Sequence, residues 1–138
     1  MSKQPIKSAE ELEAYRMAYR VAMQIYEETK KFSPEEKYSL TDQIRRSSRA
    51  VCANLREAWA KRRYPAHFVS KLTDADAENS ETETWLEFAK DCGQLTPAKH
   101  AELLDGVRQI GRMLGGMLKN PKIFCPPQTD SRLLTPDY

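Results

Sequence analysis

The sequence predicts an all-α protein, an antiparallel up-and-down four-helix bundle with an extended C-terminal tail, and three features point there. Apolar residues recur at helical steps of three, four and seven, Pro5, Pro34, Pro65 and Pro97 fall about every thirty residues, and no segment alternates convincingly with period two. Proline is tolerated in the first turn of a helix but not in its interior, so these residues mark starts rather than interruptions. The 138 residues, 40% hydrophobic and 30% charged, suit one folded domain and exclude a second. The expected division is a bundle over 1–120 and a proline-rich tail over 121–138.

The first helix is expected to start at Ser8 as N-cap, with Glu11 three residues on completing a capping box, and to run to about Lys31. Its inward stripe is read as Leu12, Tyr15, Tyr19, Ala22 and Tyr26. The second follows SPEEKYSL and carries Leu40, Ile44, Val51, Leu55 and Ala58, ending near Arg62. The third follows YPAH, aligns Phe68, Leu72, Ala75, Leu86 and Ala89, and stops at Gly93. The fourth begins at Thr96 and Pro97 and turns Leu103, Val107, Ile110, Leu114 and Leu118 inward. At 1.5 Å per residue each helix is roughly 30 Å long, the proportion of a four-helix bundle with short connections. From Asn120 onward the pattern is lost, and Pro121, Pro126, Pro127 and Pro136 favour an extended or disordered tail. Within it, Ile123, Phe124, Leu133 and Leu134 offer apolar groups for docking.

Several classes of function are disfavoured by the residues themselves. No stretch approaches the roughly 18 apolar residues of a membrane span, and MSKQPIKSAEEL lacks the apolar segment of a signal peptide, so a cytoplasmic protein is expected. Cys52, Cys92 and Cys125 form no CxxC pair, which leaves neither a disulfide framework nor a zinc knuckle. A di-metal site in a bundle core wants Glu-x-x-His pairs, but Tyr64 precedes His67 by three residues and Pro97 precedes His100. Gly115 and Gly116 are followed by Met117 and Leu118, not by the Lys-Ser/Thr of a phosphate loop. No enzyme activity, metal or cofactor is expected.

Charge is informative once divided by helix. The formal total is only +2, yet Thr41 to Arg63 holds Arg45, Arg46, Arg49, Arg56, Lys61, Arg62 and Arg63 against Asp42 and Glu57. Asp74 to Asp91 reverses the sign, with seven acids against Lys90 alone. Those acids form two rows beside the apolar stripe, Asp74/Glu78/Glu81 and Asp76/Glu83/Glu87. Arg45, Arg49, Arg56 and Arg63 form a row roughly 100° from the Ile44 and Leu55 stripe. Such a row either tracks a phosphate backbone or pairs with the acidic helix, within one subunit or between two. Only Trp59 and Tyr64 lie near it in sequence, so base stacking is not suggested.

Two further features exceed what a lone bundle needs. The first helix has a second apolar row, Ala14, Met17, Val21 and Ile25, which is either a broad core-facing surface or a subunit interface. The fourth helix contains Gly106, Gly111, Gly115 and Gly116, of which Gly111 and Gly115, one turn apart, would let another helix approach closely.

The segments YSLTDQIRRSSRAVCANLREAW, ENSETETWLEFAKDCGQL and IGRMLGGML resemble the bacterial four-helix bundle proteins encoded within intervening sequences of large-subunit ribosomal RNA genes. That family is related to the accessory variability determinants of diversity-generating retroelements. The resemblance covers about Leu12 to Lys119 and is most specific at Leu40, Gln43, Ile44, Arg45 and Arg46, at Asn54 and Glu57, and at Glu81, Glu83, Leu86, Ala89 and Gly93. The chain departs from the family pattern at Ala58, where a glycine is common, and at Ala77 and Glu78, where Gly-Ser is common. The resemblance implies a homopentamer with a central pore, no catalytic activity, and relatives that bind nucleic acid and a reverse transcriptase through basic surfaces. Asn54, beside the core stripe, is expected to make a buried hydrogen bond to Glu57 or to a partner helix, with Glu81 and Glu83 as further structural polar groups.

Two readings of function stand at this level. One is a non-enzymatic oligomeric bundle that binds RNA or DNA through Arg45, Arg46, Arg49, Arg56, Arg62 and Arg63 and assembles through Met17, Val21, Ile25, Gly111 and Gly115. The other is a protein-interaction scaffold whose charged faces serve subunit assembly.

Overall fold

The computed structural model describes residues 5–127. Four helices make up the bundle: α1 (Glu13–Thr29), α2 (Asp42–Ala60), α3 (Pro65–Asp91) and α4 (Pro97–Lys119), and no strand occurs among the described residues. Cross-helix pairs fix the directions. Tyr15 meets Arg56 and Thr29 meets Arg45; Arg46 meets Glu81 and Glu57 meets Lys71; Asn79 lies against Gly111 and Glu83 meets Arg108; Val21 lies against Gly106 and Glu28 meets Lys99. Each rising number faces a falling one, so every neighbouring pair is antiparallel and α4 closes against α1.

Proline and glycine end the elements as anticipated. Pro65 and Pro97 sit in the first turns of α3 and α4, where the missing N–H costs no intrahelical bond. Thr96 caps α4 by accepting from the Lys99 N–H at 3.1 Å. Gly93, at φ +72°, terminates α3, and the Gln94 N–H then returns to the Ala89 carbonyl at 2.8 Å. The Gln94 side chain in turn accepts from the Ser33 N–H at 2.7 Å, tying the α3–α4 turn to the α1–α2 connection.

The start of the chain departs from expectation. Ser8 makes no side-chain cap, and α1 begins only at Glu13 after a 3₁₀ turn over Ala9–Glu11. Leu12 is extended there (ψ 129°) because the turn swings its side chain inward, where it is 2% exposed. Glu11 still accepts a backbone N–H, but from Lys7 at 2.7 Å rather than from Ser8. α1 ends at Thr29 rather than Lys31, and α2 is preceded by a 3₁₀ turn (Pro34–Glu36) and a wide π turn (Lys37–Thr41) that buries Leu40.

The core takes Ile44, Val51, Leu55 and Ala58 from α2, Phe68, Leu72, Ala75, Leu86 and Ala89 from α3, and Leu103, Val107, Ile110 and Leu114 from α4. Met117 rather than Leu118 completes the α4 stripe. From α1 the expected Ala22 is buried, but its apolar companions are Ala14, Ala18, Val21 and Ile25 rather than the tyrosines, with Thr29 buried at the end of the helix. Tyr19 is 55% exposed, while Tyr15 and Tyr26 are half-buried on the flank. The row read as a subunit interface is therefore the core row. Val21 and Ile25 are buried within one protomer, and Met17 packs half-buried against the core. Tyrosine at the flank keeps its hydroxyl in contact with water, whereas alanine at the core lets the helix approach closely.

That approach is tightest at a position the sequence did not single out. A Cβ added to Gly106 would stand 2.7 Å from Cγ2 of buried Val21. At Gly111 it would make only ordinary contact with Asn79 at 3.5 Å, and at Gly115 and Gly116 it would meet nothing within 4 Å. The buried asparagine that bonds across helices is likewise Asn79, which donates to the Val107 carbonyl at 2.9 Å, not Asn54, which bonds Ala50 on its own helix. The tail begins as a 3₁₀ turn (Pro121–Ile123) and not as extended chain, and Phe124 stacks on core Phe68 with centroids 6.0 Å apart. Ile123 is exposed, and Leu133 and Leu134 lie outside the described residues.

The glycines of α4 should respond oppositely to the same change. Gly106→Ala overpacks a stiff β-branched neighbour and is expected to lower unfolding stability by about 1–3 kcal/mol, whereas Gly115→Ala and Gly116→Ala gain helix propensity worth roughly 0.5–1 kcal/mol. Urea unfolding of the three variants checks the sign of each.

Candidate nucleic-acid interface

Two neighbouring arginines of α2 separate the charges. One residue of helix turns a side chain by about 100°, so Arg46 points toward α3 and Arg45 toward α1. Arg46 bridges Glu78 at 3.2 Å and Glu81, and Glu81 also accepts from Trp85 Nε1 at 3.1 Å. The Arg46 hydrogen bond, with help from Trp85, holds the Glu81 carboxyl below the usual carboxylate range. Arg46, expected among the nucleic-acid contacts, is thus committed to the acidic helix. The two acidic rows of α3 fall where the sequence placed them: Glu78 and Glu81 face α2, while Glu83 pairs with Arg108 of α4 at 3.1 Å. Glu57 reaches Lys71 at 2.8 Å, which lowers its carboxyl, and does not bond Asn54.

Arg45, Arg49 and Arg56 turn to the opposite side and meet aromatic rings. Arg45 lies 4.9 Å and Arg49 5.7 Å from the centroid of Tyr26, and Arg45 Nε donates to Thr29 Oγ1 at 2.7 Å. Arg56 lies 5.1 Å from the Tyr15 centroid and donates to the Tyr15 hydroxyl and to Glu10, each at 3.1 Å. The groove between α1 and α2 is therefore walled by arginine and floored by tyrosine. Exposed Arg16 of α1 adds to its positive charge, whereas Arg20 turns toward Lys99 and Glu102 of α4. These tyrosines and Arg16 are the site residues that reading α2 alone missed. The available signal was Tyr15, Tyr19 and Tyr26 recurring on one face with Arg16 beside it, a poor composition for a core stripe.

The remaining predicted residues sit apart. Arg62 stacks on Trp59 at 3.9 Å and donates to its carbonyl at 2.9 Å, and Arg63 lies 5.9 Å from the Tyr64 centroid. Both occupy the α2–α3 turn, so the row is broken between Arg56 and Arg63 by the end of the helix. Gly111 lines a groove of about 350 Å³ between α3 and α4 with Asp76, Glu83 and Arg108. Burial pushes the Cys52 thiol up to about 11, which keeps it protonated and packed. Among the described residues no group of three or more His, Cys, Asp or Glu gathers as metal ligands, and no helix is long and apolar enough to cross a membrane.

These features define a four-helix bundle with opposed acidic and basic faces, the basic one lined by aromatic rings. The chain belongs to the 23S rRNA-intervening sequence protein family, whose sequence profile matches residues 10–116. It is also similar to a crystal structure of a protein of unknown function from the S23 ribosomal protein family of Bacteroides thetaiotaomicron. That likeness has a TM-score of 0.72 and 28% identity, and covers 78% of this chain and 96% of the other. No curated protein matches the chain.

The lowered Glu81 carboxyl gives a pH signature. A carboxylate whose folded pKa is depressed contributes stability above its unfolded value, about 4.3, and that contribution is lost as pH falls through the folded pKa. Arg46→Gln should accordingly lower Tm at neutral pH, with the difference from wild type shrinking as the pH falls below about 4. A Tm difference constant from pH 7 to about pH 3 would show that the pair contributes by packing alone.

Proposed function

We propose that this protein is a non-enzymatic, oligomeric helical-bundle accessory protein that binds RNA or DNA along the groove between α1 and α2. One observation carries the reading. Arg45, Arg49 and Arg56 face away from the acidic helix and rest on tyrosine rings, with one exposed carboxylate, Glu10, among their bonded partners in the described residues. A structural arginine row would be expected to spend its guanidinium groups on α3, as Arg46 does. Contacts to exposed rings contribute only about 0.5–1 kcal/mol each, so they orient the side chains without neutralising them. The groove remains positive and able to replace counterions around phosphates. The family name, with its link to ribosomal RNA genes, agrees with a nucleic-acid partner.

Binding to structured RNA followed by anisotropy tests this. With three phosphate contacts, raising salt from about 50 to about 200 mM should weaken binding roughly 20- to 40-fold. Arg49→Glu combined with Arg56→Glu should remove most of the affinity while leaving helical content intact. Absence of binding by wild type at about 50 mM salt, or full affinity in the double variant, rejects the reading.

The second reading, an assembly scaffold without nucleic acid, draws on the Arg46 bridge to Glu78 and Glu81, which shows that opposed charges on this chain do pair. Light scattering separates the two. The homopentamer suggested by the family resemblance would have a mass near five times 15.9 kDa, and its contacts with nucleic acid or a reverse transcriptase would form on the basic faces. Dissociation of that assembly by the Arg49 and Arg56 reversals would make the arginines assembly residues, and a clean monomer would exclude both the pentamer and the scaffold.

A further inference from the structure

At one end of the groove, Glu10, Tyr15, Arg16, Tyr19 and Arg56 surround an open hollow of about 500 Å³. Its two rings are stepped along α1, with centroids 6.2 Å apart and planes inclined by 32°. Tyr15 is covered by the Arg56 guanidinium, but Tyr19 is 55% exposed. Arg16 is held at the rim by donating from Nε to the Glu10 carbonyl at 3.0 Å. A guanidinium, an exposed aromatic face and a second arginine thus stand within one hollow of nucleotide size.

From this arrangement we infer that the hollow is a subsite for one unpaired nucleotide, its base stacked on Tyr19 and its phosphate on Arg56 in place of the Glu10 carboxylate. The inference deepens the proposed nucleic-acid reading and rests on it. A base can offer its face to a protruding ring only when it is unpaired or splayed from its neighbours, so the subsite selects single strands, loops or bulges over a continuous duplex. Glu10 occupies the position that a phosphate oxygen would take. Its Oε1 accepts from Arg56 Nη2 at 3.1 Å, yet the side chain is 68% exposed and free to swing away. The carboxylate therefore acts as an internal competitor, and removing its charge should tighten binding, an outcome that a purely structural Glu10–Arg56 pair does not produce.

The test measures anisotropy at about 50 mM salt with a fluorescein-labelled, unstructured single-stranded RNA and with the duplex it forms with its complement. Tyr19→Ala is expected to reduce single-strand affinity and the single-strand-to-duplex affinity ratio by roughly tenfold, the scale of losing one stacked base. Tyr19→Phe should retain both, and Glu10→Gln should raise single-strand affinity severalfold. Circular dichroism confirms that each variant keeps its helical content. An unchanged affinity ratio in Tyr19→Ala, or unchanged or weaker single-strand binding in Glu10→Gln, overturns the subsite. If the Arg49/Arg56 reversals still abolish binding in that case, the broader reading survives. Failure of wild type to bind either RNA overturns both.

Discussion

The distance between α1 and α4 governs much of this bundle. Gly106 has no Cβ, and Val21 fills the space where one would stand, so α1 settles deeply with Ala14, Ala18 and Ala22 beneath it. A helix seated on small residues has its rotation fixed, because turning it by even one position would force a tyrosine into a gap sized for a methyl group. That rotation sends Tyr15, Tyr19 and Tyr26 to the flank facing α2. Close packing in the core thus creates the aromatic floor of the groove.

The same geometric logic divides the charge. α2 lies between an acidic neighbour and a tyrosine-bearing one, and adjacent residues along it point to different sides. Arg46 meets Glu78 and Glu81, while Arg45 meets Thr29 and Tyr26. An overall charge of +2 therefore coexists with a strongly basic groove, since part of α2's charge is neutralised by α3 and the rest is turned away from it. Polar groups inside the bundle are placed for a different purpose. Asn79 reaches the Val107 carbonyl and Thr82 lies 2.8 Å from Ser47 Oγ, which pins the α2–α3–α4 register where apolar contacts alone would tolerate sliding.

Much of this was legible from the chain. The proline spacing, Gly93 and the Thr96-Pro97 start define the ends of α3 and α4 because each acts through local backbone geometry. The inward stripes of α2, α3 and most of α4 follow from strict periodicity. The two acidic rows of α3 were also visible, since their positions relative to its own apolar stripe need no partner. The candidate site was only half visible. Arg45, Arg49 and Arg56 could be read as a row, but their aromatic partners lie 19 to 41 residues earlier on a different helix.

α1 shows where sequence reading stops. With more than half its circumference apolar, its composition fits two rotations about equally, one burying the tyrosines and the other burying Ala14, Ala18, Val21 and Ile25. Helical periodicity fixes which residues share a face but not which face turns inward when two are apolar. The sequence by itself determined the all-α class, the number and order of helices, the boundary between α3 and α4 and the segregation of charge, because those depend on local backbone preference and repeat. The rotation of α1, the choice of Asn79 over Asn54 as the cross-helix polar group and the pairing of each arginine were decided only in the folded structure. They depend on steric fit and on partners brought together from distant parts of the chain.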